Sequence, residues 1–386
     1  MIEIIQKVKT YFHKQFGEAH ALLVAAPGRI NMIGEHTDYN MGLVLPAAID
    51  RCIYMAIGPA KHATRIVSMD LADELVVYDL EHLKPHQKAW PNYLLGVVDE
   101  MLKDKKMINH FNVVFAGNVP LGAGMSSSAA LENAIAFGLN ELFELEYDRI
   151  SLAKLSQKAE HNFVGTKCGI MDQFTSMMGS AQQVIKLDCR DLSYEYVRLD
   201  LKGYCLLLVD SNLSHHLTTS EYNLRRRQCE MGVQIIANKF AHVTSLRDVD
   251  IAMLDACVSV IDPVVYKRCQ YIIEENLRVV QFCDLMEAGD VAAAGNILFI
   301  AHRAMRDQYE ITCPEIDWLA SMAESLMGVV GARMMGGGFG GCTINLIETT
   351  YLEDFKEFIS NGYRQKYAIE PGFYEVNISN GVCLLE

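Results

Sequence analysis

The sequence predicts an α+β fold divided into two domains. Strand-like segments cluster early in the chain and helix-like segments cluster in its middle, which differs from the regular alternation of a doubly wound sheet. With 386 residues, the chain is too long for a single core of average size. We expect the boundary between the two domains near residues 175–200.

Composition indicates an ordinary globular protein and excludes several kinds of partner. Hydrophobic residues make up 51% of the chain, charged residues make up 21%, and the net charge is −14. Positive side chains cluster only at residues 225–227, so nucleic acid and anionic membranes are not expected partners. The longest apolar run, residues 291–301, is shorter than the roughly 20 residues that cross a bilayer.

The first half of the chain contains most of the predicted strands. Residues 1–16 have apolar side chains at helical spacing and lack the apolar core of a signal peptide, so we expect a cytoplasmic protein that begins with an amphipathic helix. Residues 27–42 hold three glycines, an arginine, a histidine and two carboxylates between apolar segments, which is typical of a functional loop. Strands are predicted over residues 21–26, 43–49, 52–58, 65–79 and 110–116, and helices over residues 90–103 and 127–145 and from a cap at Ser151 onward.

Helices dominate the second half of the chain. A helix predicted over residues 220–239 carries the arginine cluster on its exposed face, and residues 263–309 predict two long helices broken near Gly289. Eleven cysteines, an odd number without CxxC spacing, indicate buried free thiols. The remaining predictions are strands at 183–188, 194–199 and 204–209, a helix after Pro314, a glycine run leading into a strand at 334–348, a helix at 352–367 and a last strand at 374–385.

Residues 119–132, VPLGAGMSSSAALE, have the order of parts of an anion site. A strand leads into glycines, and three serines lead into a strongly helical run, so free backbone amides and the helix dipole both favour a phosphate there. A P-loop is excluded because the sequence has no Gly-Lys pair. Gly336, Gly338 and Gly341 formally match a dinucleotide motif, but a strand follows them where that motif needs a helix.

Three motifs occur together in a recognisable order. They are PGRINMIGEHTDYNMGLVLPAAI at residues 27–49, VPLGAGMSSSAALE at 119–132 and MMGGGFGGCTINL at 334–346. On these motifs the chain resembles the GHMP-type small-molecule kinases and, within them, the galactokinases. GEHTDY at residues 34–39 is specific to the galactose branch. CGIMDQF at 168–174 and SEYNLRRRQCE at 220–230 are also similar to galactokinase segments, so the resemblance spans nearly the whole chain.

The resemblance implies a fold and a reaction. The fold has an N-terminal domain that binds ATP and sugar over residues 1–180, a C-terminal GHMP-type domain over residues 181–373, and an active site in the cleft between them. The last strand, about residues 374–386, can return to the first domain. The implied enzyme is a monomer that uses ATP and Mg²⁺ to phosphorylate the anomeric hydroxyl of galactose, giving galactose 1-phosphate and ADP at the start of galactose catabolism.

The resemblance also implies roles for individual residues. Asp172 would accept the proton of the sugar hydroxyl, and Arg29 would hold Asp172 ionised and neutralise charge on the γ-phosphate. Ser128 and Glu160 would bind Mg²⁺, with phosphates and waters as the other ligands. The other assignments are sugar contacts from Glu35, His36, Thr37, Asp38, Gly169 and Tyr222, nucleotide contacts from Ser68, Trp90 and Tyr93, and a phosphate loop of Gly122, Ala123, Gly124, Met125, Ser126, Ser127 and Ser128.

Structural interpretations of the same residues, and other functions, stay open at this point. Without the resemblance, Asp172 would be a cap or turn residue, Glu160 a solvated helix carboxylate, and the two aromatic residues of the 90–103 helix core residues. One rival function is a related kinase for N-acetylgalactosamine or for a non-sugar alcohol, and GEHTDY disfavours the non-sugar acceptor. Another is a sensor that binds galactose and ATP without turnover, which the Ser128–Ala129 pair disfavours.

Overall fold

The computed structural model describes residues 1–71, 74–120, 122–213 and 218–385. Three sheets and their covering helices make up an α+β fold, as predicted. The strands are β1 (Leu22–Asn31), β2 (Leu43–Val44), β3 (Pro46–Pro59), β4 (Thr64–Ser68), β5 (Glu74–Tyr78), β6 (Phe111–Gly117), β7 (Gln183–Asp188), β8 (Tyr194–Arg198), β9 (Tyr204–Asp210), β10 (Val329–Met335), β11 (Cys342–Glu348), β12 (Gly372–Glu375) and β13 (Cys383–Leu384).

The α-helices include two that continue directly into a short π-helical turn, at Glu160–Val164 and at Met305–Tyr309. Among the described helices, none combines the length and the apolar character that crossing a membrane requires. The helices are α1 (Ile2–Phe16), α2 (Trp90–Lys103), α3 (Ser127–Leu142), α4 (Arg149–Ala159), α5 (Met171–Met178), α6 (Thr218–Ala237), α7 (Ile251–Asp255), α8 (Pro263–Glu287), α9 (Val291–Ala304), α10 (Pro314–Ser325) and α11 (Leu352–Tyr367).

The first lobe is built on a six-stranded sheet in the order β13-β1-β3-β6-β4-β5, and of these described strands only β4 and β6 pair in parallel. Strand β6 illustrates how the sequence specifies both faces. Phe111, Val113 and Phe115 face a core formed with α2, α3 and α4, as their alternation predicts. Val114 faces the other side, where it packs with Val8 and Phe12 of the amphipathic helix α1.

The second lobe is built on the antiparallel sheet β10-β11-β9-β12. Residues 205–209 of strand β9 are all apolar because both faces of the strand are covered. Leu207 and Val209 pack with residues of α8, α10 and α11, whereas Leu206 and Leu208 pack with residues of α8 and α9. The break between α8 and α9 is at Gly289, whose φ is 77°, as predicted.

Several predicted elements differ in extent from those in the structure. Strand β1 continues to Asn31, so the loop predicted to begin at residue 27 begins five residues later, at residue 32. A register shift between Pro27 and Arg29 marks a bulge in the strand. The segment predicted as one strand over residues 65–79 is two strands, β4 and β5. Asp148, and not Ser151, caps α4, because its carboxylate accepts the Ser151 N–H at 2.7 Å.

The arginine cluster and the last strand are also corrected. Arg225 is buried and donates to the carbonyl oxygens of Tyr309 and Glu310, so it does not lie on the exposed face of α6. The last predicted strand is two short ones: β12 pairs with β9, and β13 pairs with β1 of the six-stranded sheet. The division of the chain at residue 180 stays a prediction. All eleven cysteines lie in the described part of the chain and are free thiols, as predicted, but only six of them are buried and the other five are partly buried.

Two glycines inside helices allow a matched test of packing. A Cβ at Gly232 in α6 would lie 2.1 Å from Sγ of the buried Cys269, whereas a Cβ at Gly138 in α3 would meet Val24 and Ile57 at 3.4–3.6 Å, which is ordinary contact. We expect Gly232→Ala to lower the free energy of unfolding by about 1–3 kcal/mol. We expect Gly138→Ala to raise it by up to about 1 kcal/mol because alanine favours the helix. Urea unfolding of both variants checks this, and equal effects would contradict it.

Candidate active site

An ion pair between Arg29 and Asp172 lies at the centre of the site. Arg29 follows the bulge in β1, and Asp172 is in the first turn of α5. The guanidinium donates from Nε to Oδ1 and from Nη2 to Oδ2, each at 2.8 Å, which is the two-point geometry that fits a carboxylate best. The Ser126 hydroxyl also donates to Oδ2 of Asp172. The pair is therefore held in one geometry from both sides.

Two adjoining cavities meet at this pair. The larger has a volume of about 700 Å³ and the smaller about 130 Å³, and Arg29, Asp172, Glu160 and Tyr222 line both. The larger cavity is also lined by most of the predicted phosphate loop and by Tyr93. The smaller is also lined by Glu35, His36, Asp38 and Gly169.

The phosphate loop combines glycine backbone with the start of α3. Gly124 accepts a hydrogen bond from Nη1 of Arg29, and the carbonyl of Met125 accepts the Arg29 N–H at 3.0 Å. Ser126 has φ of 56° and precedes the first helical residue, so Ser127 and Ser128 lie in the turn whose N–H groups lack partners within the helix. The arrangement suits an anion in the larger cavity.

Asp38 lies against Gly169 in the wall of the smaller cavity. A Cβ at Gly169 would lie 1.8 Å from Oδ2 of Asp38, so only glycine leaves room for this carboxylate. Burial, and then the nearby charge of Asp172, raises the pKa of Asp38 to about 7. Asp38 is therefore poised between its acid and its carboxylate at neutral pH.

His36 is a neutral hydrogen-bonding group. Its Nε2 lies 3.2 Å from the Gly337 carbonyl, which can only accept, so Nε2 carries the proton and Nδ1 accepts from the Tyr39 hydroxyl at 2.6 Å. Burial lowers the pKa of His36 to about 3. The Tyr222 ring packs on the imidazole with ring centroids 4.9 Å apart, which brings α6 to the rim of the same cavity.

Glu35 is held by the second lobe. Its Oε1 accepts from Nη1 and Nη2 of Arg333, each at 3.2 Å, and from the Gly336 N–H at 2.9 Å. Arg333 belongs to β10 and is fully buried. The carboxylate that the sequence assigns to the sugar is thus also the anchor of an arginine about 300 residues away.

Thr37, Ser68, Trp90 and Ala123 do not line either cavity. The Thr37 hydroxyl is within hydrogen-bond distance of the Gly34 and Leu43 carbonyls, so it fixes the loop. Ser68 is buried at the end of β4, and Ala123 is buried in a core. Trp90 donates from Nε1 to Glu74 at 3.1 Å and packs on Phe115, which is the core position that the sequence left open as an alternative. The assigned contacts from these four residues to a ligand stay predictions.

Ser128 and Glu160 fit the predicted magnesium ion by the chemistry of their donors. Both line the larger cavity, and both offer oxygen. Burial, and then the charge of Asp172, raises the pKa of Glu160 to about 7, so a cation beside it would favour the carboxylate. Among the described residues no three His, Cys, Asp or Glu side chains form a metal cage.

Three groups near the site had no role assigned from the sequence. Gln173 donates from Nε2 to Glu160 at 2.8 Å and to the buried Glu132 at 3.0 Å. The hairpin between β10 and β11 supplies Gly337, Gly338, Gly340 and Gly341 to the wall of the larger cavity. Arg333 supports Glu35. A charged residue inside the apolar strand GARMM was the available signal for Arg333.

The geometry defines a class of chemistry. The ion pair of Arg29 and Asp172 lies where the smaller cavity meets the larger cavity, whose wall includes the glycine-rich N-terminus of α3. A hydroxyl group bound in the smaller cavity would therefore lie next to a phosphoryl group bound in the larger one. This arrangement is that of a small-molecule kinase.

Family models and known proteins agree with that class. The chain matches the galactokinase galactose-binding signature over residues 10–59, the GHMP kinases N terminal domain over 92–180 and the GHMP kinases C terminal model over 282–365. A galactokinase of Thermosipho africanus is 39% identical over 364 residues, which cover 94% of this chain and 99% of the relative. A galactokinase of Roseiflexus is 36% identical and covers 97% of this chain, with 96% of its own length matched. The chain belongs to the galactokinase family of GHMP kinases.

Solved structures agree with this assignment. A crystal structure of Lactococcus lactis galactokinase complexed with galactose superposes with a TM-score of 0.93 at 31% identity, covering 97% of this chain and 98% of that one. The Methanococcus jannaschii mevalonate kinase superposes with a TM-score of 0.66 at 14% identity over 94% of this chain and 99% of its own. At that identity, the second comparison shows the shared fold alone.

The raised pKa of Asp38 predicts that this residue lowers stability. The ordinary pKa of the side chain is 3.8 and the folded value is about 7, so between these pH values the unfolded chain is ionised while the folded protein stays protonated. The resulting loss of stability grows as pH rises through this window and is complete above pH 7. An asparagine side chain at this position cannot ionise and keeps an acceptor for the Tyr39 N–H, which lies 2.9 Å from Oδ1 of Asp38.

We therefore expect Asp38→Asn to raise the free energy of unfolding of the ligand-free protein, by an amount on the order of 1–4 kcal/mol at pH 8 and much less at pH 4.5. Urea unfolding at both pH values measures the difference. A gain that is the same at both pH values would contradict a raised pKa for Asp38.

Proposed function

We propose that this chain transfers the γ-phosphoryl group of ATP to the anomeric hydroxyl of α-D-galactose, giving galactose 1-phosphate and ADP. The observation that carries this proposal is the Arg29–Asp172 pair at the junction of the two cavities. Membership of the galactokinase family supports it, and so does similarity to an enzyme solved with galactose. In this assignment ATP occupies the larger cavity and the sugar the smaller one.

Asp172 would receive the proton that the sugar hydroxyl loses. Its side chain is 28% exposed and opens to both cavities, whereas the Arg29 side chain is only 5% exposed. Arg29 holds the carboxylate by two hydrogen bonds and supplies positive charge where the phosphoryl group transfers. The step therefore depends on position and charge more than on covalent chemistry.

Ser128 and Glu160 would hold the magnesium ion, which supplies positive charge to the phosphate oxygens when bound. Among the described residues, the lining of the larger cavity includes the carboxylates of Glu160, Asp172 and Asp210 but only one cation, Arg29. A polyphosphate needs more positive charge than this lining gives. The backbone amides at the start of α3 provide the rest of the anion site.

The sugar would be recognised by groups that lose a partner when the wrong epimer binds. Asp38 and His36 are buried and line the smaller cavity, and Tyr222 of α6 lines it as well. A buried polar group left unpaired costs about 1–3 kcal/mol, which is enough to separate an axial from an equatorial hydroxyl by roughly tenfold to hundredfold.

The test is an ADP-release assay with galactose, N-acetylgalactosamine, glucose and mevalonate, with and without magnesium. We expect turnover with galactose that exceeds the other acceptors and stops when the metal is chelated. Faster turnover of another acceptor would replace galactose in the proposal. Binding of galactose and ATP without turnover would indicate the sensor.

Asp172→Asn tests the assigned proton acceptor. The amide keeps the size of the side chain but cannot take up the proton, so we expect kcat to fall about 100-fold to 10,000-fold while the Kd for galactose changes less than about threefold. Asp210→Asn is the matched control, because Asp210 lines the same cavity and is bonded to the Asn212 N–H. Equal losses in both variants, or a near-normal kcat for Asp172→Asn, would remove Asp172 from this role.

A further inference from the structure

The loop that carries the sugar-binding residues is held by side chains of the second lobe. Glu275 of α8 accepts the Gly34 N–H at 2.9 Å, and the Tyr271 hydroxyl donates to the Glu35 carbonyl at 3.1 Å. Asn276 accepts the Leu43 N–H at 2.7 Å. The position of the loop, residues 32–43, therefore depends on elements more than 200 residues away.

Arg333 makes the largest set of these contacts. Nε donates to the Met32 carbonyl at 2.8 Å, Nη1 to the Met334 carbonyl at 2.7 Å and to Glu35, and Nη2 to the Asn31 carbonyl and to Glu35. These contacts use all five N–H groups of a guanidinium. A fully buried arginine is tolerated only when it is satisfied in this way. Lysine, with three donors and no planar fork, cannot reproduce the set.

Glu35 transmits the position of the sugar loop to the glycine hairpin, residues 336–341. The oxygen that binds Arg333 also accepts the Gly336 N–H. The backbone of the hairpin in turn packs closely on the backbone of the phosphate loop. A Cβ added at Gly336 would lie 3.2 Å from the Gly124 carbonyl oxygen, and a Cβ added at Gly124 would lie 3.0 Å from the Met335 carbonyl oxygen. Gly124 is bonded to Arg29.

We infer that Arg333 is a positioning residue that couples sugar binding to nucleotide binding through Glu35 and the glycine hairpin. This inference rests on the proposed function. A sugar that contacts Glu35 fixes the carboxylate, the carboxylate fixes the Gly336 N–H, and the hairpin then forms the wall of the larger cavity against the phosphate loop. Coupling of this kind is reciprocal, so either substrate tightens binding of the other by the same factor.

The experiment compares the Kd of a non-hydrolysable ATP analogue with magnesium in the presence and absence of saturating galactose, by calorimetry on the full chain. For the wild type we expect galactose to tighten analogue binding about fivefold or more. For Arg333→Lys we expect the ratio of the Kd without galactose to the Kd with galactose to fall to about one. We expect the Kd without galactose to stay within about threefold of the wild-type value. A merely structural role for Arg333 would change both values of Kd together.

Arg268→Lys is the matched control. Arg268 is also almost completely buried in the second lobe and bonded to a carbonyl and a carboxylate, those of Gln308 and Glu310, and it lines neither cavity. We expect this variant to keep the wild-type ratio. If the ratio of the two Kd values also fell to about one in Arg268→Lys, the effect would result from general destabilisation of the second lobe, and the inference would be overturned.

A second variant covers the case in which Arg333→Lys fails to fold. Gly336→Ala keeps Arg333 but strains a residue with φ of 91° and presses on Gly124, so we expect the same loss of the ratio. A retained ratio in either folded variant overturns the inference. Turnover of galactose by the wild type is measured first. A wild type that phosphorylates galactose but shows a ratio of one overturns the coupling alone and leaves the proposed function intact.

Discussion

The bidentate contact between Arg29 and Asp172 is the interaction on which the rest of the site depends. It joins the bulge of β1 to the first turn of α5 across 143 residues of sequence. Removing two charges from water costs several kcal/mol, so a partly buried pair of this kind is a poor source of stability and a good source of position. Ser126 is bonded to Asp172 and Gly124 to Arg29, which fixes the loop of residues 122–128 and the Asp172 carboxylate relative to each other.

Elements with a strict hydrophobic period could be predicted from the sequence. The alternation in β6, the amphipathic α1 and the break between α8 and α9 at Gly289 depend on neighbours along the chain, so the sequence reports them directly. The extension of β1 through residues 27–31 could not be predicted, because Pro27 and Gly28 have the pattern of a turn while the bulge that accommodates them depends on pairing with β3. The burial of Arg225 depends likewise on carbonyl acceptors more than 80 residues away.

The difference between local patterns and contacts of distant residues also applies to the site. The resemblance supplied many of the residues that line the two cavities, but it did not supply Asp210 or the glycines of the hairpin between β10 and β11. The sequence does not show why position 169 must be glycine, because the residue that excludes a Cβ there, Asp38, is 131 residues away along the chain. The resemblance assigned Thr37 to the sugar; in the structure its hydroxyl lies within hydrogen-bond distance of the Gly34 and Leu43 carbonyls and Thr37 lines neither cavity, so that contact stays a prediction. The charged residue inside the apolar strand GARMM was a local signal of a buried role for Arg333, but its partner Glu35, 298 residues away, could not be identified from the sequence.

Crowding of buried carboxylates in the site lowers the stability of the folded protein when no ligand is bound. Burial, and then repulsion between neighbouring negative charges, raises the pKa of Asp38 and Glu160, and burial followed by the charge of Glu160 raises the pKa of Glu132 well above its ordinary value. Such crowding works against folding, and active sites commonly sacrifice stability in this way. In the proposed assignment, a sugar that donates hydroxyl groups to Asp38 and a cation beside Glu160 would each relieve part of that cost. Ligands that bind the folded state alone would also stabilise the fold around the ion pair of Arg29 and Asp172.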